Sequence, residues 1–249
     1  MAKKPLILRI NDKVKLILKK SAIGGFIYRK ILNPVWLAYR LPLARRCMKI
    51  HGYEMLGRMH QVFRKYGIPY YADCGSLLGF IRDGDFLKGD ADVDVSVMPE
   101  YGSLANVLRV FLSEGYRYVY SYEYNGRLLE FTVMDPYVEL TIDVFQSEYS
   151  PDDKGMLIVR YLRWFQDRNY PSERDNTALE FMFPAATGIK EMTVHGITVD
   201  VPINAEEILD AEYGQWRTPD PNFRSDMIPH EEAPLFAHRL SEEEAVAHA

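Results

Sequence analysis

Asp92 to Val97 reads Asp-Val-Asp-Val-Ser-Val, acids or a small polar residue alternating with valine. That period of two predicts a half-buried strand with Asp92 and Asp94 on one face. Upstream, Met55, Leu56, Met59, Val62, Phe63 and Tyr66 recur at helical spacing, and Gly67 followed by Pro69 marks the stop. Tyr70–Ala72 is strand-like and feeds Gly75-Ser76, after which Leu77, Leu78, Phe80 and Ile81 predict a short buried helix. Leu104, Val107, Leu108, Phe111 and Leu112 predict an amphipathic helix closed by Gly115. Two strand-like runs, Tyr116–Tyr124 and Arg127–Met134, flank the hairpin signal Asn125-Gly126. Tyr137–Phe145 alternates again, placing Glu139, Thr141 and Asp143 on a polar face. Met192–Val194 and Ile197–Val201 are short strands around His195-Gly196, and Asn204 with Glu207 predicts a capping box for a helix ended by Gly214. Met156–Phe165 is apolar and aromatic, Pro171–Thr177 reads as a loop, and Asp220–Ala249 reads as a loosely held acidic tail without sustained periodicity.

Helices interleaved with strands in this way predict an α/β (α+β) chain. An apolar fraction of 47% with 26% charged residues is that of a globular protein able to bury a sizeable core. Only Cys47 and Cys74 are present, which excludes a disulfide framework or a Cys/His zinc module and fits a reducing compartment. No apolar run reaches the ~20 residues that span a bilayer, and the short apolar stretch before Arg9 does not make a cleaved signal. The expected location is cytoplasmic.

The net charge of −5 conceals an asymmetry. Residues 1–50 hold 13 Lys/Arg against the single acid Asp12, a net +12, whereas the remainder holds 17 against 34, a net −17. Val14, Ile17, Leu18, Phe26, Ile27, Ile31, Val35 and Trp36 are interleaved with these bases, with Gly24-Gly25 and Pro34 as breaks. Such a segment can lie on an anionic membrane surface or pack on the domain with a solvated basic face. Nucleic acid is not an expected partner, because no recognised binding motif accompanies the charge.

Candidate chemistry concentrates in Tyr70–Met98. Gly75-Ser76 at a helix start offers backbone N–H groups suited to phosphate. Asp92 and Asp94, held side by side, repel each other unless a cation intervenes, and hard oxygen ligands suit magnesium or manganese. The other reading is a solvated acidic strand face with valines as core. Asp90 adds a further acid, and Asp143, on a polar strand face, is open to a general-base role or to none as an exposed strand acid. Arg82 can either neutralise a phosphate or pair with Asp73 or Asp85. Glu130 and Glu139 are weaker candidates on neighbouring strands. Arg160, Arg163, Arg168 and Arg174 are read as solvated or ion-paired, and His195 as structural.

Asp73, Gly75-Ser76-Leu77-Leu78-Gly79, Arg82, Gly84, Phe86-Leu87 and Asp90-Ala91-Asp92-Val93-Asp94 resemble the LicD/fukutin-type branch of the nucleotidyltransferase-fold superfamily, whose signature runs approximately D-x-G-T-L-L-G-x-x-R-x-G-x-F-I-x-x-D-D-D-x-D. Here Ser76 replaces the threonine and Ala91 replaces one acid. Ile142-Asp143-Val144-Phe145 matches the segment that supplies the third carboxylate, and the run from Val201 through Tyr213-Gly214 to Trp216 and Pro219 resembles the family's closing motif.

The resemblance implies a nucleotidyltransferase-like core with a short mixed sheet flanked by helices. It implies catalytic and metal-binding roles for Asp92, Asp94 and Asp143, and substrate binding by Gly75, Ser76, Arg82 and Asp90. The implied reaction moves phosphocholine or a phospho-alditol from a CDP-activated donor to a hydroxyl of a glycan or lipid-linked glycan. Transfer of a nucleoside monophosphate and a non-catalytic glycan- or membrane-binding scaffold are the alternatives. The expected organisation is a basic helical appendage over 1–45, a catalytic domain over 46–219 and the tail over 220–249.

Overall fold

The computed structural model describes residues 31–162, 175–220 and 231–248, together with 27 and 223. Residues 1–26, with the Gly24-Gly25 break, and Arg163, Arg168 and Arg174 lie outside the described residues.

The first described element is α1 (Asn33–Tyr66), a 34-residue helix with a proline in its first turn, where a missing N–H is tolerated. It ends at Gly67 in the left-handed region, whose N–H reaches back to Arg64 and Phe63 carbonyls. At 1.5 Å per residue it is roughly 50 Å long, and it passes through position 45 without interruption, Pro42 included. The expected boundary between an appendage and a core at 45/46 therefore falls inside one helix. Met55, Met59 and Phe63 are fully buried along it, and Phe63 stacks on Tyr70 with ring centroids 4.0 Å apart, tying the helix to the first strand.

Then follow β1 (Tyr70–Ala72), α2 (Cys74–Arg82), β2 (Asp92–Val97), α3 (Leu104–Ser113), β3 (Arg117–Tyr124), β4 (Arg127–Met134), β5 (Thr141–Phe145), β6 (Glu148–Tyr149), β7 (Met156–Leu162), β8 (Asp175–Pro184), β9 (Ile189–Val194), β10 (Ile197–Pro202), α4 (Ala205–Tyr213), β11 (Glu231–Leu240) and α5 (Glu242–Ala247). Among the described residues, nine strands form one sheet in the order β1-β2-β5-β4-β3-β11-β8-β7-β6, and β9 pairs with β10 separately. The β2–β5 pair is parallel and its neighbours are antiparallel, so the sheet is mixed and flanked by helices. Val93, Val95, Phe131, Val133, Ile142 and Val144 alternate onto the dry face and are buried in the main core with α1 and α3. The predicted hairpin forms, with Asn125 and Gly126 both at positive φ.

Three local expectations are corrected. Tyr137–Phe145 is strand only from Thr141. Buried Asp135 accepts hydrogen bonds from the N–H groups of Tyr137 and Val138 and forms a two-armed pair with Arg58 at 2.9 Å, which holds the chain in a turn first. Asp175–Thr177, expected in a loop, open strand β8. The Asn204 side chain makes no cap bond to α4; it accepts from the Thr187 N–H and donates to the Ala185 carbonyl and Glu207 instead.

The largest correction is the C-terminal segment, because β11 is inserted in the sheet between β3 and β8. Its register shifts between Glu231 and Leu235, the stretch that contains Pro234, a place where a strand tolerates a residue with no N–H. The charges and proline conceal the strand in the sequence, and backbone pairing on both sides makes it. Ser241 and Glu244 then cap α5 reciprocally.

Candidate active site

β2, β5 and β4 lie side by side and carry acids on one face. In the parallel β2–β5 ladder Asp94 is the direct partner of Asp143, and Asp92 is two residues before Asp94 on the same face. On β4, Thr132 is the partner of Asp143 and its hydroxyl donates to the Asp143 carboxylate. Glu130, two residues away on that same face, is buried with its Oε1 unpartnered.

The turn into α2 closes over these acids. Asp73 is the N-cap, accepting from the Cys74 N–H at 2.9 Å and from the Ser96 hydroxyl. The helix starts at Cys74, so Gly75 and Ser76 lie in its first turn. A Cβ added to Gly75 would sit 3.6 Å from Asp94 Oδ2 and 4.0 Å from Asp90 Oδ1, so the glycine presents bare backbone to the carboxylates. Ser76 is buried, and its Oγ accepts the Asp94 N–H at 2.9 Å. Its hydroxyl thus fixes the height of Asp94 relative to α2.

Burial raises the proton affinity of the whole group, and neighbouring acids raise that of Asp94, Asp143 and Asp90 further. Asp94 is pushed well above the ordinary carboxylate range by burial and then by Asp92, Asp143 and Asp90. Burial and then Asp92 raise Asp143 to about 7, and burial and then Asp92 raise Asp90 to about 6. Burial raises Asp92 too, opposed by its hydrogen bond from the Ala91 N–H and by the charge of Arg40. Carboxylates this close, with hard oxygens and a deficit of positive charge, are a donor set suited to a hard divalent cation.

A cavity of about 190 Å³ opens beside Asp92 and Asp143. Thr132, Tyr120 and Glu139 line it from the sheet side, and Arg40, Leu41 and Ala44 line it from α1. Part of the basic N-terminal region is therefore a wall of the candidate site. Arg45 reinforces this, donating to the Gly89 carbonyl at 2.7 Å.

The sequence model of the LicD/FKTN/FKRP nucleotidyltransferase domain matches residues 67–204, more than half of the chain. The chain belongs to that family. No curated protein matches it. Family membership implies a transferase of phosphotransferase type acting on glycans, with a nucleotide-activated donor. The matched span contains every carboxylate of the site and excludes Arg40, which this LicD-family protein contributes from outside the family domain.

Gly75, Asp90, Asp92, Asp94 and Asp143 converge in this LicD-family fold. Arg82 does not join them. Its guanidinium grips Asp83 at 2.8 and 2.9 Å and donates to the Trp216 carbonyl, at the far end of α2, roughly 12 Å along the helix axis from the cap. Its partner is thus Asp83, next to it in sequence, and neither Asp73 nor Asp85. Asp85 instead takes the Tyr53 hydroxyl and the His195 ring. Arg160 is ion-paired with Glu148 and Glu180. The sequence held no sign of Arg40 as a site residue, because nothing local distinguishes it from the other bases of the N-terminal region. Among the described residues no helix is long and apolar enough to cross a membrane.

Proposed function

We propose that this protein is a metal-dependent phosphotransferase that moves phosphocholine, phosphoribitol or phosphoglycerol from a CDP-activated donor to a glycan hydroxyl, with CMP as leaving group. The observation that carries this reading is the Asp94–Asp143 rung with Asp92 beside it, under the bare backbone of Gly75. Asp92, Asp94 and Asp143 would hold magnesium or manganese. A divalent ion bound there supplies charge neutralisation for the phosphates and a lowered pKa for the attacking hydroxyl.

The chain's own residues account for the remaining requirements of phosphoryl transfer, which are positioning and charge stabilisation. The first-turn N–H groups of α2 at Gly75 and Ser76 point positive dipole at a phosphate. Arg40 lines the cavity from α1 and would pair with donor phosphate oxygens. Asp90 supports the loop by accepting the Leu87 N–H at 3.1 Å. The new bond forms between the acceptor oxygen and the transferring phosphorus, the phosphorus–oxygen bond to CMP breaks, and the hydroxyl proton passes to a site carboxylate.

A lipid-linked or cell-envelope glycan at the cytoplasmic membrane face is the acceptor class in this reading. Val35, Leu43 and Ile50 are exposed along α1, and Ile31 is exposed just before it, close in sequence to Arg46 and Lys49, which supports peripheral contact with anionic lipid. Equal partitioning onto anionic vesicles by the full chain and by one lacking residues 1–45 would reject that contact.

The deciding experiment is calorimetric titration of CDP-choline, CDP-ribitol, CDP-glycerol, CTP and ATP, first with magnesium or manganese and then with chelator. Metal-dependent binding of one CDP-linked donor is expected. Binding of a nucleoside triphosphate alone points to nucleotidyl transfer, and absence of metal-dependent binding points to a non-catalytic scaffold.

A further inference from the structure

Next to the acids of β2 lies a second group of ligand-type side chains that the proposed reaction does not use. The carboxylate of Asp73, the thiol of Cys74 and the carboxylate of Glu212, in the last turn of α4, each place a potential ligand atom within 4.8 Å of the other two. Asp73 and Glu212 are 7% and 3% exposed.

Their hydrogen bonds leave the group incomplete. The Tyr161 hydroxyl donates to Glu212 Oε1 at 3.2 Å and receives the Cys74 S–H at 3.3 Å. Glu212 Oε2 is buried with no partner. The charged groups acting on Cys74 are Asp73, Glu212 and Asp94, and the one acting on Glu212 is Asp73, all of them acids. Two buried carboxylates and a thiol without a counter-charge are an expensive arrangement unless protons or a cation neutralise them.

We infer that Asp73, Cys74 and Glu212 form a second cation site, for an ion of the zinc class, separate from the carboxylates of β2 and β5. Magnesium and calcium require an all-oxygen shell, whereas a thiolate with two carboxylate oxygens is a zinc-type set. With zinc–sulfur near 2.3 Å and zinc–oxygen near 2.0–2.2 Å, tetrahedral ligands stand roughly 3.5 Å apart, against separations of at most 4.8 Å in this cluster. Binding displaces the thiol proton and any proton on Glu212. The ion would pin the N-terminus of α2 to α4, and with it the Gly75 backbone that faces Asp94. This inference does not depend on the identity of the donor or the acceptor.

The test uses the full chain, stripped with chelator, reloaded with zinc or cobalt(II) and desalted. About one zinc per chain by elemental analysis is expected, and the cobalt form should show the near-ultraviolet charge-transfer band of a thiolate ligand. Cys74→Ser should remove that band and Glu212→Gln should weaken zinc binding at least tenfold, while Asp94→Asn and Cys47→Ser keep both signals. The absence of a band in the wild-type protein overturns the site without recourse to any variant. So does zinc that survives Cys74→Ser but is lost with Asp94→Asn, since it would then belong to the other carboxylates.

Discussion

Asp94 and Asp143 are direct partners across the parallel β2–β5 ladder, although 49 positions separate them in the chain. The rung places two acids side by side with Asp92 next to them, and no fully opposed set of bases balances the three. Their repulsion is tolerable when the acids are protonated or when a cation lies between them.

Asp94→Asn removes the most strongly perturbed of these charges without changing shape. The metal-free variant should melt at or above the wild-type temperature, because a source of repulsion is gone. Its melting shift on adding manganese should shrink, and transferase activity should fall by about two to three orders of magnitude. A wild-type manganese response, read by thermal melting, would remove Asp94 from the metal site.

The same acids set a pH dependence. Their pKa values are raised in the folded state, with Asp90 at about 6 and Asp143 at about 7 against the ordinary 3.8. Between pH 4 and 7 the folded chain therefore holds more protons than the unfolded one, so metal-free stability falls as pH rises through that window. Cations compete with those protons. Melting curves should show metal-free protein more stable at pH 5.5 than at pH 7.5, and a larger stabilisation by manganese at pH 7.5.

Two glycines of α2 should separate stability from function. A Cβ on Gly79 would lie 2.6 Å from the Asp85 carbonyl oxygen and 2.9 Å from the Leu87 nitrogen, both backbone atoms. Gly79→Ala should then destabilise by about 2–3 kcal/mol, measurable by urea unfolding. At Gly75 the added Cβ meets only ordinary contacts. Gly75→Ala should unfold at nearly the wild-type urea concentration while binding donor more weakly, since the methyl group occupies the approach to the carboxylates.

Arg40 reaches the cavity from α1 and opposes the upward shift of Asp92. Arg40→Ala should weaken binding of a CDP-linked donor about tenfold, the scale of one charge-assisted hydrogen bond. Arg40→Lys should restore part of it, because the charge returns without the fork geometry. Unchanged donor affinity in calorimetry for both variants would make Arg40 a wall residue only.

Truncation after residue 230 removes β11 and α5. β3 and β8 would each lose the strand between them, exposing two edges that invite association. The truncated chain should aggregate or lose its cooperative melt in light scattering and calorimetry, whereas removal of a loosely held tail would change neither.

The short-range features of this protein were legible in the sequence. Valine alternation records which face of β2 is dry, so the shared face of Asp92 and Asp94 followed from Asp-Val-Asp-Val alone. Asn125-Gly126 specified its hairpin because both residues accept positive φ, and Gly67 specified the end of α1 by the same property. The Gly-Ser pair at a helix start, the acids and their order carried the family. Tertiary structure decided which distant pieces meet. It paired β5 with β2 so that Asp143 stands opposite Asp94, drew Arg40 to the cavity, set Glu212 against Cys74 and gave the C-terminal segment a place inside the sheet. The division has a physical cause: side-chain periodicity reports only whether a face is wet or dry, whereas the partner of an element is chosen by packing and backbone pairing summed over residues far apart in the chain.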